Sequence, residues 1–188
     1  SMEEVCRTEY LKNLLEEFKI YLDRENLLPS WKYLLDVVNC AGKMNEIKKQ
    51  VYICPDTGGA YSHRRAKYFG PYAEKMVSKI FEVEAVVSVG KGLSKNDSTV
   101  KWNNKSNKKD LIDLAIKKVE LFDDRKQENE STALQVFLLE NGFPTDFQKE
   151  TRGGMYQSKK YFRDIAGDDD NSIKLADKLK GRKWGDFT

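Results

Sequence analysis

The only histidine of the chain lies in Ser62-His63-Arg64-Arg65, within the stretch VYICPDTGGAYSHRRAKYFGPY over 51–72. Imidazole changes charge near neutral pH, so His63 is the candidate catalytic residue, as a general base or as an acid beside a phosphate. The two arginines that follow have the geometry to clamp a phosphate or carboxylate with two parallel N–H bonds each. Cys54 precedes His63 by nine residues across a turn and is a candidate nucleophile. The plainer alternatives are a solvated surface turn for His63 and a buried strand position for Cys54.

Positive charge gathers in three segments that also hold glycine pairs or near-pairs. Residues 91–109 carry Lys91, Lys95, Lys101, Lys105, Lys108 and Lys109 against Asp97, a net +5. Arg64, Arg65 and Lys67 add +3, and residues 147–163 add +4, with Lys149, Arg152, Lys159, Lys160 and Arg163 against Glu150. The glycines are Gly58-Gly59, Gly90 with Gly92, and Gly153-Gly154. Loops with open backbone N–H groups and lysines suit phosphate contacts. Trp102, Tyr61, Tyr68 and Tyr156 lie in or beside the same segments, where unpaired bases would stack. The competing reading is a set of solvated lysine-rich loops, because acids elsewhere nearly cancel the charge.

A metal-dependent nuclease would hold Mg²⁺ on an Asp and a Glu-x-Lys from neighbouring strands. Glu84 is followed by lysine only at Lys91, and Asp110, Asp113 and Glu120 fall on the polar face of an amphipathic helix. Asp168-Asp169-Asp170-Asn171 lacks the glycine and distal glutamate of a calcium loop and reads as a helix start. Gly90-Lys91-Gly92 is only a fragment of a nucleoside-triphosphate loop. No cofactor is expected, with Mg²⁺ required only if the nuclease alternative holds.

The chain has 188 residues, 33 Lys and Arg against 30 Asp and Glu, and 39% apolar residues, enough for one domain with a real core. Its net charge of +3 falls short of a dedicated nucleic-acid binder, so that reading rests on local clustering. Three cysteines without C-x-x-C spacing, and no run of about 20 apolar residues, point to an intracellular protein, cytoplasmic or nuclear, with no membrane span.

The elements that must position these groups follow from periodicity. Leu11, Leu14, Leu15, Phe18, Tyr21 and Leu22 predict a helix over 3–24. Trp31, Leu34, Leu35, Val38 and Ala41 predict a second over 30–42, pairing with the first as a hairpin. Further helices are expected over 70–81 after Gly70-Pro71, over 110–122, from Ser131 to about 140, over 157–166, and after Asp168. Val51–Cys54 and Val83–Val89 read as strands, the latter pairing with a short strand at Ser98–Trp102. The expected fold is α+β and predominantly α-helical, about seven helices with a small antiparallel sheet. It forms a single domain over 1–188, with the helical hairpin 3–42 packed on an α+β core over 51–188. The function expected is nucleic-acid (polyanion) binding to DNA or RNA through the basic loops. The alternatives are a phosphodiester- or nucleotide-acting enzyme and a helical interaction domain that meets a protein partner, or a second copy, through its N-terminal helix.

Overall fold

A computed structural model describes residues 2–24, 29–105, 110–155 and 157–187. Among them are five α-helices and eight strands, and the strands form a large mixed sheet. The chain is therefore not predominantly helical with a small sheet. Four segments expected as helices run extended: 30–42 contains β1 (Leu35–Asn39), 70–81 falls in β3 (Tyr68–Ala73) and β4 (Met76–Val89), 131–140 contains β6 (Leu134–Leu139), and 157–166 contains β8 (Lys159–Phe162). The second helix of the expected hairpin is thus a 3-10 turn over Pro29–Tyr33 followed by β1. The helices expected over 3–24 and 110–122 and after Asp168 are present as α1 (Met2–Arg24), α3 (Leu111–Glu120) and α5 (Ser172–Leu179). Two further helices are α2 (Met44–Lys48) and α4 (Asp123–Ser131). β2 (Val51–Pro55) and β5 (Thr99–Asn103) match the expected strands, and β7 (Phe143–Gln148) completes the set.

The long strand β4 joins two halves of the sheet. Its first half pairs with β3 and β7, and β3 continues through a parallel pairing to β1 and then to β8. Its second half pairs with β5 and β6, and β6 pairs with β2. The β3–β4 hairpin turns through Glu74 and Lys75, both with positive φ, a geometry usually signalled by Asn-Gly. Pro71 lacks an N–H and sits where the β3–β4 register shifts. Gly70 is sterically required, since a Cβ there would lie 2.9 Å from a Val77 methyl.

Both faces of β1, β2, β3, β6 and the second half of β4 are largely buried, and this explains three of the four misread segments. On β1, Leu35 and Val37 face a cluster with Tyr72, Phe147 and α5 residues Leu175 and Leu179. On β2 and β6, Val51, Ile53, Val136 and Leu138 pack against Leu111, Ala115 and Val119 of α3. The opposite faces supply a middle layer of Val38, Tyr52, Cys54, Phe69, Val86 and Phe137. Strands covered on both sides lose the polar alternation that marks a half-exposed sheet and read as continuous apolar runs. Among the described residues no helix is long and apolar enough to cross a membrane.

Candidate functional site

Strand alternation places Asp36 in the middle layer, on the same side as Val38 and opposite to Leu35 and Val37. Its side chain is 1% exposed. Oδ2 lies 2.7 Å from Nδ1 of His63, whose side chain is 2% exposed, and Oδ1 is buried with no hydrogen-bond partner. The imidazole meets Phe137 and Tyr52 edge-on, at 4.8 and 6.1 Å between centroids. Burial pushes the Asp36 carboxyl above the usual carboxylate range, opposed by the His63 bond and by the charge of Lys159.

The histidine reaches this layer because the 56–67 loop folds back over the sheet. Gly58 and Gly59 both take positive φ, a conformation glycine adopts without a Cβ penalty. The Arg64 backbone N–H donates to Tyr161 Oη at 2.9 Å, and its guanidinium lies 5.8 Å from the Tyr161 ring centre. Arg65 stacks 4.0 Å over Trp31, donates from Nε to Asn104 Oδ1 at 2.9 Å, and from Nη2 to the Asn103 carbonyl at 2.7 Å. Asn104 is itself held by its amide on the Ala66 and Val83 carbonyls. Lys67 donates to the Asp170 carbonyl. The arginines are therefore exposed but pre-oriented, an arrangement that would lower the entropy lost on binding an anion.

Beside the dyad opens a cleft of about 280 Å³, lined among others by Asn39, Lys43, Tyr61, His63 and Ser158. Lys43 Nζ donates to the Ile53 carbonyl at 3.2 Å and lies 5.2 Å over the Tyr52 ring. The Lys159 ammonium donates to the carbonyl of Ala60, another lining residue. Burial holds that ammonium below the usual lysine range, partly offset by the charge of Asp36.

The three basic segments converge only in part. The 56–67 loop touches the end of β5 through Arg65 and touches β8 through Arg64, so Arg64, Arg65 and Lys159 share one region. Lys160, one residue along β8, points the other way and lies over the Phe162 and Trp184 rings on the α5 side. Arg163 follows the strand and is exposed. Lys91 is exposed in a 3-10 turn over Lys91–Leu93 that packs against α4. Lys95 pairs with Asp113 at 2.6 Å, Lys101 with Asp56 at 2.7 Å, and Lys105 with Glu140 at 2.5 Å and Glu82 at 3.5 Å. Trp102 packs its half-buried ring edge-on against Phe137 rather than offering a free stacking face. Lys108, Lys109 and Tyr156 lie outside the described residues.

Asp113, Asp170 and Asn171 have structural roles. Asp113 sits in the first turn of α3 and pairs with Lys95. Asn171 caps α5 by accepting from the Lys174 N–H, and Asp170 Oδ2 accepts from the Gly167 N–H. Among the described residues no three His, Cys, Asp or Glu side chains come together as a metal site. Cys54 is fully buried, faces Gln135, and has its thiol pushed up by burial, which opposes a nucleophilic role. Sequence reasoning missed Asp36, Trp31, Lys43 and Tyr161. The one cue for Asp36 is a lone carboxylate inside the apolar run Leu34-Leu35-Asp36-Val37-Val38. Neither a family model, nor a curated protein, nor a solved structure matches this chain.

Proposed function

We propose that the chain binds nucleic acid, with unpaired bases, on the face formed by Trp31, Tyr61, Arg64, Arg65, Lys159 and Tyr161. The observation that carries this reading is the pair of arginines laid against Trp31 and Tyr161 by a loop anchored through His63. Arginine on an aromatic ring keeps N–H groups for phosphates and extends a flat surface for bases. Buried, unpaired Cys40 and Cys54 support a reducing, intracellular setting, cytoplasmic or nuclear.

Anisotropy titrations with a labelled single strand and its duplex, at two salt concentrations, test the reading. Tight binding of the single strand that weakens steeply with salt is expected. Trp31→Ala should weaken it about tenfold, from the roughly 1–3 kcal/mol of a base–aromatic stack. Binding that ignores salt, or that Trp31→Ala leaves unchanged, contradicts it.

The exposed stripe of α1, with Leu11, Leu14, Phe18 and Tyr21 each about half exposed, supports a second reading. Their spacing of three, four and three residues forms the short seam of a helix pair, and the occupant proposed is a second copy of the chain. Light scattering would give twice the monomer mass, and Leu14→Glu with Phe18→Glu would return it to the monomer. A monomer mass for the unchanged chain would remove this reading.

A further inference from the structure

We propose that the cleft beside Asp36 and His63 cleaves RNA, with His63 taking the proton of a ribose 2′-hydroxyl and Lys159 giving one to the departing 5′-oxygen. The inference rests on the nucleic-acid reading above. An ionised Asp36 accepts from Nδ1–H of His63, which leaves Nε2 as the acceptor of a ring whose residue lines the cleft. Asp36 Oδ1 is buried and unpartnered, so the hydrogen bond of this carboxyl within the fold goes to His63. Such a group is costly, and it is expected where a carboxylate is kept to stabilise a positive charge forming on its neighbour.

The cations around the cleft complete the set. Lys159, on the Ala60 carbonyl, is held below the usual lysine range by burial and so releases its proton more readily. Lys43, on the cleft wall, faces the negative charge that grows on the phosphorane oxygens. The nucleophile belongs to the substrate, so the protein needs only a base, an acid and fixed positive charge. The O2′–H bond breaks and its proton passes to Nε2. The O2′–P bond forms, the P–O5′ bond breaks, and O5′ takes a proton from Nζ. The products are a 2′,3′-cyclic phosphate and a 5′-hydroxyl, and exchange with water restores both side chains.

The test incubates the full chain, in excess chelator, with a single-stranded RNA and with the same sequence carrying 2′-O-methyl groups. The RNA should be cut to fragments ending in cyclic phosphate, while the methylated strand is bound and stays whole. His63→Gln and Lys159→Ala should each slow cutting by about a hundredfold or more. Asp36→Asn should slow it on the order of 10⁴-fold, because an amide donor at this position favours the wrong imidazole tautomer. Binding of the methylated strand, measured with each variant, separates lost cutting from a lost fold. RNA that is bound but uncut, or cut equally by all three variants, overturns the inference and leaves the binding reading standing. If neither strand is bound or cut, the binding reading falls and the inference with it.

Discussion

The 56–67 loop and the 91–105 segment carry similar basic residues beside glycines, and the fold treats them in opposite ways. In the second, carboxylates from elsewhere in the chain meet three of the four lysines: Asp113 at Lys95, Asp56 at Lys101, and Glu140 with Glu82 at Lys105. In the first, among the described residues, Arg64 and Arg65 meet aromatic rings, a carbonyl and an asparagine, none of which cancels their charge. Neutralised lysines add solubility, whereas oriented and uncancelled arginines add a field and a shape. Local charge in a sequence thus marks candidates, and the counter-charges brought in from distant segments decide among them.

The largest effect should come from reversing the arginines. Arg64→Glu with Arg65→Glu should weaken single-strand binding by roughly two orders of magnitude, at about 1.5 kcal/mol or more per charge-assisted contact. The slope of log affinity against log salt should fall by about 1.4 when both sites are instead made alanine. Lys95→Ala with Lys105→Ala should change affinity little, and equal losses from the two pairs would erase the contrast between the regions.

Next in size is the anchor of the loop. His63→Ala leaves Asp36 buried without its hydrogen-bonded partner, a change of about 3 kcal/mol in cases of this kind. The Asp36 carboxyl already lies above its unfolded value, and losing His63 moves it higher. A raised carboxyl pKa means that the folded state holds a proton the unfolded state releases, so stability falls as pH rises through the folded value. Relative to the unchanged chain, His63→Ala should therefore lose melting temperature as pH increases above about 4, the ordinary carboxylate value. A deficit independent of pH would show that the anchor acts by packing alone.

The smallest expected effect is at Asp113. Asp113→Asn releases Lys95 from an exposed pair worth about 0.2–1 kcal/mol, so stability should change by less than that in a thermal melt. Binding should strengthen only slightly. A large gain would mean that the 91–105 segment belongs to the interface and is held back by its carboxylates.

What the sequence conveyed depended on solvent exposure. α3 and α5 keep polar faces, so Leu111, Ala115 and Val119, and Leu175 and Leu179, recur at helical spacing. The hairpin of β4 with β5 was legible because Gly90 and Gly92 interrupt a valine-rich run. β1, β3 and β6 were not, since their side chains meet packed layers on both sides and their apolar residues fit a buried helix equally well, and the short edge strand β8 opens on two lysines and buries only Phe162. In the site, Arg64, Arg65 and Lys159 were visible as charge. Asp36 was not, because a carboxylate 27 positions before His63 becomes its partner only when β1 is recognised as a strand and the loop folds onto it.

The central claim is that the anchored arginine face meets nucleic acid, and crosslink mapping addresses it directly. A single-stranded oligonucleotide with photoreactive thio-pyrimidines would be irradiated with the full chain and the attached peptides identified. Crosslinks at Trp31, Tyr61 or Tyr161, lost in Arg64→Glu with Arg65→Glu, are predicted. Crosslinks confined to residues 91–105, or none above a non-binding protein control, would contradict it.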